Sequence, residues 1–282
     1  MSRSEVAAAA VSYLFVPASR PDRFDKALAS AADAVIIDLE DAVAFDEKEA
    51  ALDYLLAALE RGLERPAHVR INAADSVWFT RDVETIAGLS AIARGSLAGV
   101  LLPKAERASD VRRIVEVLGG AGSGAETIAL IESAAGVAAA GEIAGVPGLT
   151  RFAVGAADLS VDLDVEIASA TVDWVYAKLV LESRLAGLVA PVASPPFEIK
   201  DLNAVAAEAA RLRGLGATAQ LSIHPAQIPA IHDGFLPSAE RLEWARRVVA
   251  AAESTDGAAQ IDGQMVDKPI RDRAARILAR TR

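Results

Sequence analysis

The chain contains no cysteine. That absence excludes disulfides, thiolate zinc sites and cysteine nucleophiles together. Histidine is scarce, with three in 282 residues, so a metal site would have to draw on oxygen donors. Aromatic residues make up only 5%. Basic residues are outnumbered 29 to 39, and the net charge of −10 speaks against nucleic acid and anionic membranes as partners. No apolar run reaches the roughly 20 residues that a membrane-spanning helix needs. Residues 6–18 have the outline of a signal peptide, but Glu5, Ser12 and Tyr13 interrupt the apolar stretch, which reads better as the start of the fold. A cytoplasmic location is the expectation that fits best.

What is present is aliphatic: 52% hydrophobic residues, mostly Ala, Val, Leu and Ile, a profile suited to helices and buried parallel strands. Short strand-like runs recur at 13–16, 34–39, 68–71, 99–102, 127–131, 151–154, 187–192 and 220–223. Most of the gaps between them carry apolar residues at helical spacing, at 22–31, 46–63, 108–118, 172–185 and 201–212. Strand–helix alternation of this length predicts an α/β fold, a (β/α)8 TIM barrel with extra C-terminal helices. An open doubly wound sheet is the alternative, but no G-x-G-x-x-G follows the first strand. The expected division is a barrel over 1–253 and a C-terminal extension over 254–282, entered through a loose linker at 254–259.

Barrel active sites lie at the C-terminal ends of the strands. Read in order, those ends give Pro17 and Arg20; Asp38, Glu40 and Asp41; Arg70 and Asn72; Lys104; Glu132; Asp158; and His224. Any one of these alone reads as a solvated loop charge. Together they read as a site. Glu132 and Asp158 each close an apolar run, and a carboxylate where a buried strand gives way to a loop is costly unless a cation meets it. Oxygen donors imply a hard cation, and Mg2+ is expected. Asp158, Asp162 and Asp164 faintly resemble a calcium loop but lack its glycine and closing glutamate.

Asp38, Glu40 and Asp41 are expected to hold metal waters or orient Arg70, with helix capping as the alternative for one of them. Arg70 and Lys104 bring positive charge for a substrate carboxylate or a developing enolate. Arg20, with Arg23 and Lys26, could meet phosphates, while Arg23 and Lys26 read equally as a solvated helix face. His68 and His232 read as structural or surface residues and His224 as a positioning residue.

At these residues the chain resembles the citrate lyase β-subunit-like family of metal-dependent aldolase barrels, close to malyl-CoA and citramalyl-CoA lyases. The matching segments are YLFVPASRPDRFDKAL, VIIDLEDAV, VRINA, VLLPKAE, ALIESAAGV, GAADLSVDLD, SIHPAQI and DGQMVDKPIRDRA, in the family's order over almost the whole chain. The resemblance implies that Glu132 and Asp158 bind Mg2+, that Arg70 contacts substrate, and that Asp38, Glu40 and Asp41 organise the metal waters. It also implies that Asp267 reaches an active site from the C-terminal segment, preferably that of a neighbouring subunit in a homotrimer. Where relatives often carry an acidic residue after the seventh strand, this chain has Pro191-Val192-Ala193-Ser194-Pro195-Pro196, which suggests a changed substrate.

The expected function is therefore a Mg2+-dependent carbon–carbon lyase. It would act on a 3-hydroxy acid acyl thioester carried by CoA or an acyl carrier, and release a keto acid and an acetyl thioester. Arg70, Asp267 and Asp41 are the candidate catalytic residues; Arg70, Arg20 and Lys104 the candidate substrate contacts. A non-catalytic accessory subunit binding keto acid and Mg2+, and a pyruvate-type aldolase using no thioester, stay open as alternatives.

Overall fold

The computed structural model describes residues 10–120, 124–253, 259–261 and 264–278. Eight strands close a parallel barrel in chain order: β1 (Ser12–Pro17), β2 (Ala34–Asp38), β3 (Ala67–Arg70), β4 (Leu97–Leu102), β5 (Glu126–Ile131), β6 (Arg151–Val154), β7 (Val189–Ala193) and β8 (Ala219–Ser222). Pairing of Ser12 with Gln220 joins β1 to β8 and leaves no open edge. The expected barrel is the fold of the chain.

Helices α1 (Phe24–Leu28), α2 (Lys48–Arg61), α3 (Phe79–Ala87), α4 (Ala91–Ser96), α5 (Ala108–Val117), α6 (Ala134–Ala144), α7 (Ala156–Asp162), α8 (Ala170–Leu185), α9 (Leu202–Leu215) and α10 (Ile228–Phe235) follow the strands. Helix α6 has the sequence AAGVAAAGEIA; all its faces are small and weakly apolar, so it shows little periodic contrast to read. It nonetheless starts sharply, because Ser133 accepts a hydrogen bond from Gly136 N–H at 3.1 Å as its N-cap.

Alternation along the strands sorts side chains between two layers. One set packs outward on the helices. The other fills the barrel, with Tyr13, Ile36, Leu101, Ile128, Leu130 and Leu221 in its apolar middle. Each fully buried Ile or Leu there contributes about 2 kcal/mol. The same inward parity places Asp38, Arg70 and Glu132 at the upper end of the barrel, and His68, Glu126 and Arg151 at the lower.

After the barrel come α11 (Ala239–Glu253), a small hairpin of β9 (Ala259–Ile261) and β10 (Gln264–Val266), and α12 (Lys268–Leu278). Ala245, Val248, Val266, Ala274 and Ile277 form an apolar cluster of their own, apart from the barrel cores. Most of the expected linker (254–258) lies outside the described residues, as do 279–282 and the first nine residues. No helix among the described residues is long and apolar enough to cross a membrane.

Candidate active site at the C-terminal end of the barrel

In the β2–β3 register Asp38 sits beside Arg70. The guanidinium donates through Nε to Asp38 Oδ1 and through Nη2 to Oδ2, both at 2.6 Å. Asp38 also accepts from Glu40 N–H at 2.9 Å and Ala42 N–H at 3.2 Å, so it fixes the turn after β2 as well as the arginine. What remains of Arg70 is Nη1, which lies 3.0 Å from Glu40 Oε2 and 3.8 Å from Asp41 Oδ2. The guanidinium stacks 4.7 Å from the centroid of the Phe15 ring. Burial opposes its charge, but the bonds to Asp38 and the charges of Asp38, Glu40 and Asp41 outweigh burial and raise its pKa.

Two residues that pattern reading missed brace this turn. Lys48 Nζ, from the start of α2, donates to Leu39 O at 2.6 Å, Glu40 O at 2.8 Å and Asn72 Oδ1 at 2.7 Å. Asp82, buried in α3, accepts from Asn72 N–H and Nδ2 at 2.9 and 2.8 Å. Both sit among the charges of helix surfaces, where the sequence gives no sign that one of them turns inward.

Glu132 leaves the end of β5 only 4% exposed. Its Oε1 accepts the backbone N–H of Lys104 at 2.8 Å. Lys104 adopts a left-handed conformation, φ 45°, which costs a non-glycine residue about 1 kcal/mol. Its Nζ meanwhile lies 3.2 Å from Glu40 Oε1. On the other side, Gly155 follows β6 with no side chain; a Cβ there would lie 2.7 Å from Glu132 Cβ, so glutamate and glycine share one space.

Asp158 lies in the first turn of α7, exposed to solvent. Burial, the charge of Glu40 and the charge of Asp158 push Glu132 up to about 8, against the Lys104 N–H and Arg70. Glu40 is pushed up too, by burial first and by Asp41 and Asp38, with Arg70 and Lys104 opposing. Among the described residues Glu40 Oε2 is buried and has only the ion pair with Arg70 Nη1 at 3.0 Å, outside hydrogen-bond geometry. This pole is short of positive charge.

A divalent cation fits that deficit. Among the described residues no group of three or more His, Asp or Glu is gathered to enclose a metal, so the protein would supply few donors. That suits Mg2+, which keeps several waters, better than a metal needing a full protein cage.

The remaining candidates stand apart. Arg20 donates from Nε and Nη2 to Asp22 at 2.9 and 2.8 Å in an exposed pair. His224 Nδ1 accepts from Ala226 N–H at 3.1 Å and caps the turn after β8. Asp267 is exposed, and its carboxylate caps α12 by accepting from Ile270 N–H at 3.1 Å. No hydrogen bond or ion pair among the described residues joins it to its own barrel.

A closed parallel barrel with a cation-poor acidic pole at its strand ends defines the class of protein. The chain belongs to the HpcH/HpaI aldolase/citrate lyase family, whose profile matches residues 11–225. It is 37% identical over 280 residues to the citrate lyase subunit beta-like protein of Mycobacterium tuberculosis, covering 97% of this chain and 96% of that one. It is 33% identical over 264 residues to the (3S)-malyl-CoA thioesterase of Cereibacter sphaeroides, with coverage of 91% and 89%. The crystal structure of CitE from Mycobacterium tuberculosis in complex with magnesium, acetoacetate and coenzyme A superposes with a TM-score of 0.82 at 36% identity, covering 97% of this chain and 98% of that one.

Proposed function

We propose that the chain is a magnesium-dependent carbon–carbon lyase acting on a 3-hydroxy acid acyl thioester of the citryl-, malyl- or citramalyl-CoA type. The observation that carries this reading is Glu132: a carboxyl at the strand ends whose one hydrogen bond among the described residues comes from the Lys104 N–H at 2.8 Å, pushed up to about 8 by burial first and then by the charges of Glu40 and Asp158. The magnesium, keto acid and coenzyme A in the related CitE structure support it. Glu132 and Asp158 would hold the ion, which as a Lewis acid polarises the substrate's hydroxyl or keto oxygen.

The chain's own residues would do the rest. Asp41, exposed beside Arg70, or Asp267 of a neighbouring subunit takes the substrate hydroxyl proton. The carbon–carbon bond breaks, a keto acid leaves, and the electron pair stays on the α-carbon of the acetyl thioester as an enolate. Arg70 Nη1, the part of the guanidinium not committed to Asp38, stabilises that charge. The enolate carbon takes a proton from the acid, giving the acetyl thioester. Lys104, beside Glu40, is the further cation at this pole, and Arg20 would have to leave Asp22 to meet substrate charge. The C-terminal extension, with Asp267 at its exposed turn, would cover a neighbour's site in a homotrimer.

Likeness to a thioesterase favours a second reading, hydrolysis of the thioester without carbon–carbon cleavage. Incubating the protein with Mg2+ and malyl-, citramalyl- and citryl-CoA separates the two. A lyase releases keto acid and acetyl-CoA with no free thiol. A thioesterase releases free thiol and intact hydroxy acid. No product with any of the three would leave the accessory role or the thioester-free aldolase.

A further inference from the structure

Asp158 is carried by α7, a helix of seven residues. A helix that short does not hold itself in place, since isolated helices below about 12 residues are marginal in water. Its own N-cap position gives no help. That position is Gly155, which offers no capping side chain, because a Cβ there would collide with Glu132. Two residues from elsewhere hold the helix instead.

Ser194, directly after β7 and 6% exposed, accepts the Ala156 N–H on its Oγ at 3.1 Å. Ala156 begins α7, and its N–H is one of the donors that a helix start leaves without a partner in the helix. Ser194 is fixed in turn. Its own N–H donates to Tyr176 Oη and its carbonyl accepts from Gln220 Nε2, both at 3.0 Å, and Tyr176 and Gln220 are buried.

At the other end of α7, Asp162 Oδ2 accepts the Ala134 N–H at 2.6 Å, a carboxylate on the positive end of α6. Ala134 stands two residues beyond Glu132, so this bond ties α7 to the segment that carries the buried glutamate. Between the two ends, Ala156 and Leu159 are buried in the core around the barrel, which stops the helix from rolling. Asp164, in the left-handed conformation at φ 53°, ends the helix, and Val165 N–H returns to Ser160 O at 2.9 Å. The two aspartates behind the faint likeness to a calcium loop therefore serve the ends of α6 and α7.

We propose that Ser194 and Asp162 are positioning residues that act through α7, setting the separation of Asp158 from Glu132 and with it the affinity for the divalent ion. This rests on the reading of those two carboxylates as the ion's ligands. The test is Mg2+ calorimetry on the full chain, with melting curves in EDTA to show that each variant is folded. Ser194→Ala and Asp162→Ala should each weaken Mg2+ about tenfold, the usual effect of removing the support of a metal ligand. Asp162→Asn drops the charge but keeps an acceptor for Ala134 N–H, and should bind Mg2+ close to the wild type. Ser90→Ala removes the same kind of bond from the start of α4, where Ser90 Oγ accepts Ala93 N–H at 3.2 Å, and should leave Mg2+ affinity unchanged.

A folded Ser194→Ala or Asp162→Ala protein with wild-type Mg2+ affinity overturns the role of that residue. Asp162→Asn binding as weakly as Asp162→Ala would mean that the charge matters and the bond does not. An equal loss in Ser90→Ala would reduce the effect to general stability. Asp158→Asn separates the two levels of the argument. Wild-type affinity there overturns the ligand reading and the positioning together, whereas a loss there beside unaffected Ser194→Ala and Asp162→Ala overturns the positioning alone.

Discussion

Strand β5 carries a glutamate at each end of the barrel interior, and the two live in opposite company. Glu126 and Glu132 are buried alike, at 5% and 4% exposed. Each is given room by a neighbouring glycine: a Cβ at Gly99 would lie 2.8 Å from Glu126 Cβ, and one at Gly155 would lie 2.7 Å from Glu132 Cβ. At the lower end the cation is built into the fold. Arg151 is fully buried and donates to Ala190 O at 3.0 and 2.6 Å, to Thr218 Oγ1 at 2.8 Å and to Tyr13 Oη at 3.3 Å. Burial first of all pushes Tyr13 up to about 12, so it stays a phenol and a donor. At the upper end Glu132 faces Glu40 and Asp158, and Arg70 is already held by Asp38. Tyr13 bridges the lower pair, donating to Glu126 and accepting from Arg151; under the proposed function this difference separates a carboxylate of the scaffold from one that would meet a cation from outside.

That contrast breaks most sharply at Glu132. Glu132→Gln should lower turnover by about a thousandfold or more, as expected when an electrostatic anchor of the reaction is lost, and abolish Mg2+ binding. The fold should survive, because removing a repelled acid relieves the pole. Wild-type Mg2+ affinity by calorimetry would show that the ion is held elsewhere.

Arg70→Lys should lower catalytic efficiency by about a hundredfold, since an ammonium cannot hold Asp38 with two prongs and still present a third donor. A near-wild-type enzyme would mean that Arg70 only balances Asp38.

The two glycines sharpen the comparison. Gly155→Ala should displace Glu132 and weaken Mg2+ about 10- to 100-fold, the usual effect of disturbing the support of a metal ligand. Gly99→Ala would press on the backbone O and N of Glu126 as well as its Cβ and should cost at least about 1–3 kcal/mol of stability by overpacking, with Mg2+ affinity unchanged. Thermal melts and Mg2+ titrations of the pair check both, and equal effects on Mg2+ would dissolve the distinction between the poles.

The barrel was legible because eight strand-like runs recur, most gaps between them carry a helical pattern, and inward parity can be counted along each strand. The upper acids were legible for a related reason: Glu132 and the Asp38–Asp41 run interrupt apolar stretches where strands end. Lys48 and Asp82 were not, since helix periodicity says which face is apolar but not which exposed charge folds back onto a loop. Lys104 was visible as a charge, but its left-handed backbone, which aims its N–H at Glu132, is set by the loop's packing. Asp158 appeared as a strand-end residue and proves to start a helical turn. Arg20 was picked for its loop, and its engagement with Asp22 depends on a local pairing that spacing alone does not choose.

The raised pKa of Glu132 also has a sign that can be checked. Between about 4.5, the ordinary value, and about 8 the folded, metal-free protein holds a proton on Glu132 that the unfolded chain has lost. Stability without metal should therefore fall as pH rises through this window. Mg2+ must displace that proton, so its affinity should rise with pH up to about 8 and then level off.

The most direct measurement is Mg2+ binding calorimetry at pH 7 in buffers of different ionisation enthalpy, which counts the protons released. With Glu132 titrating at about 8, release of close to one proton per Mg2+ is expected for the wild type. Binding without proton release would contradict the claim that Glu132 is a buried neutral acid awaiting the ion.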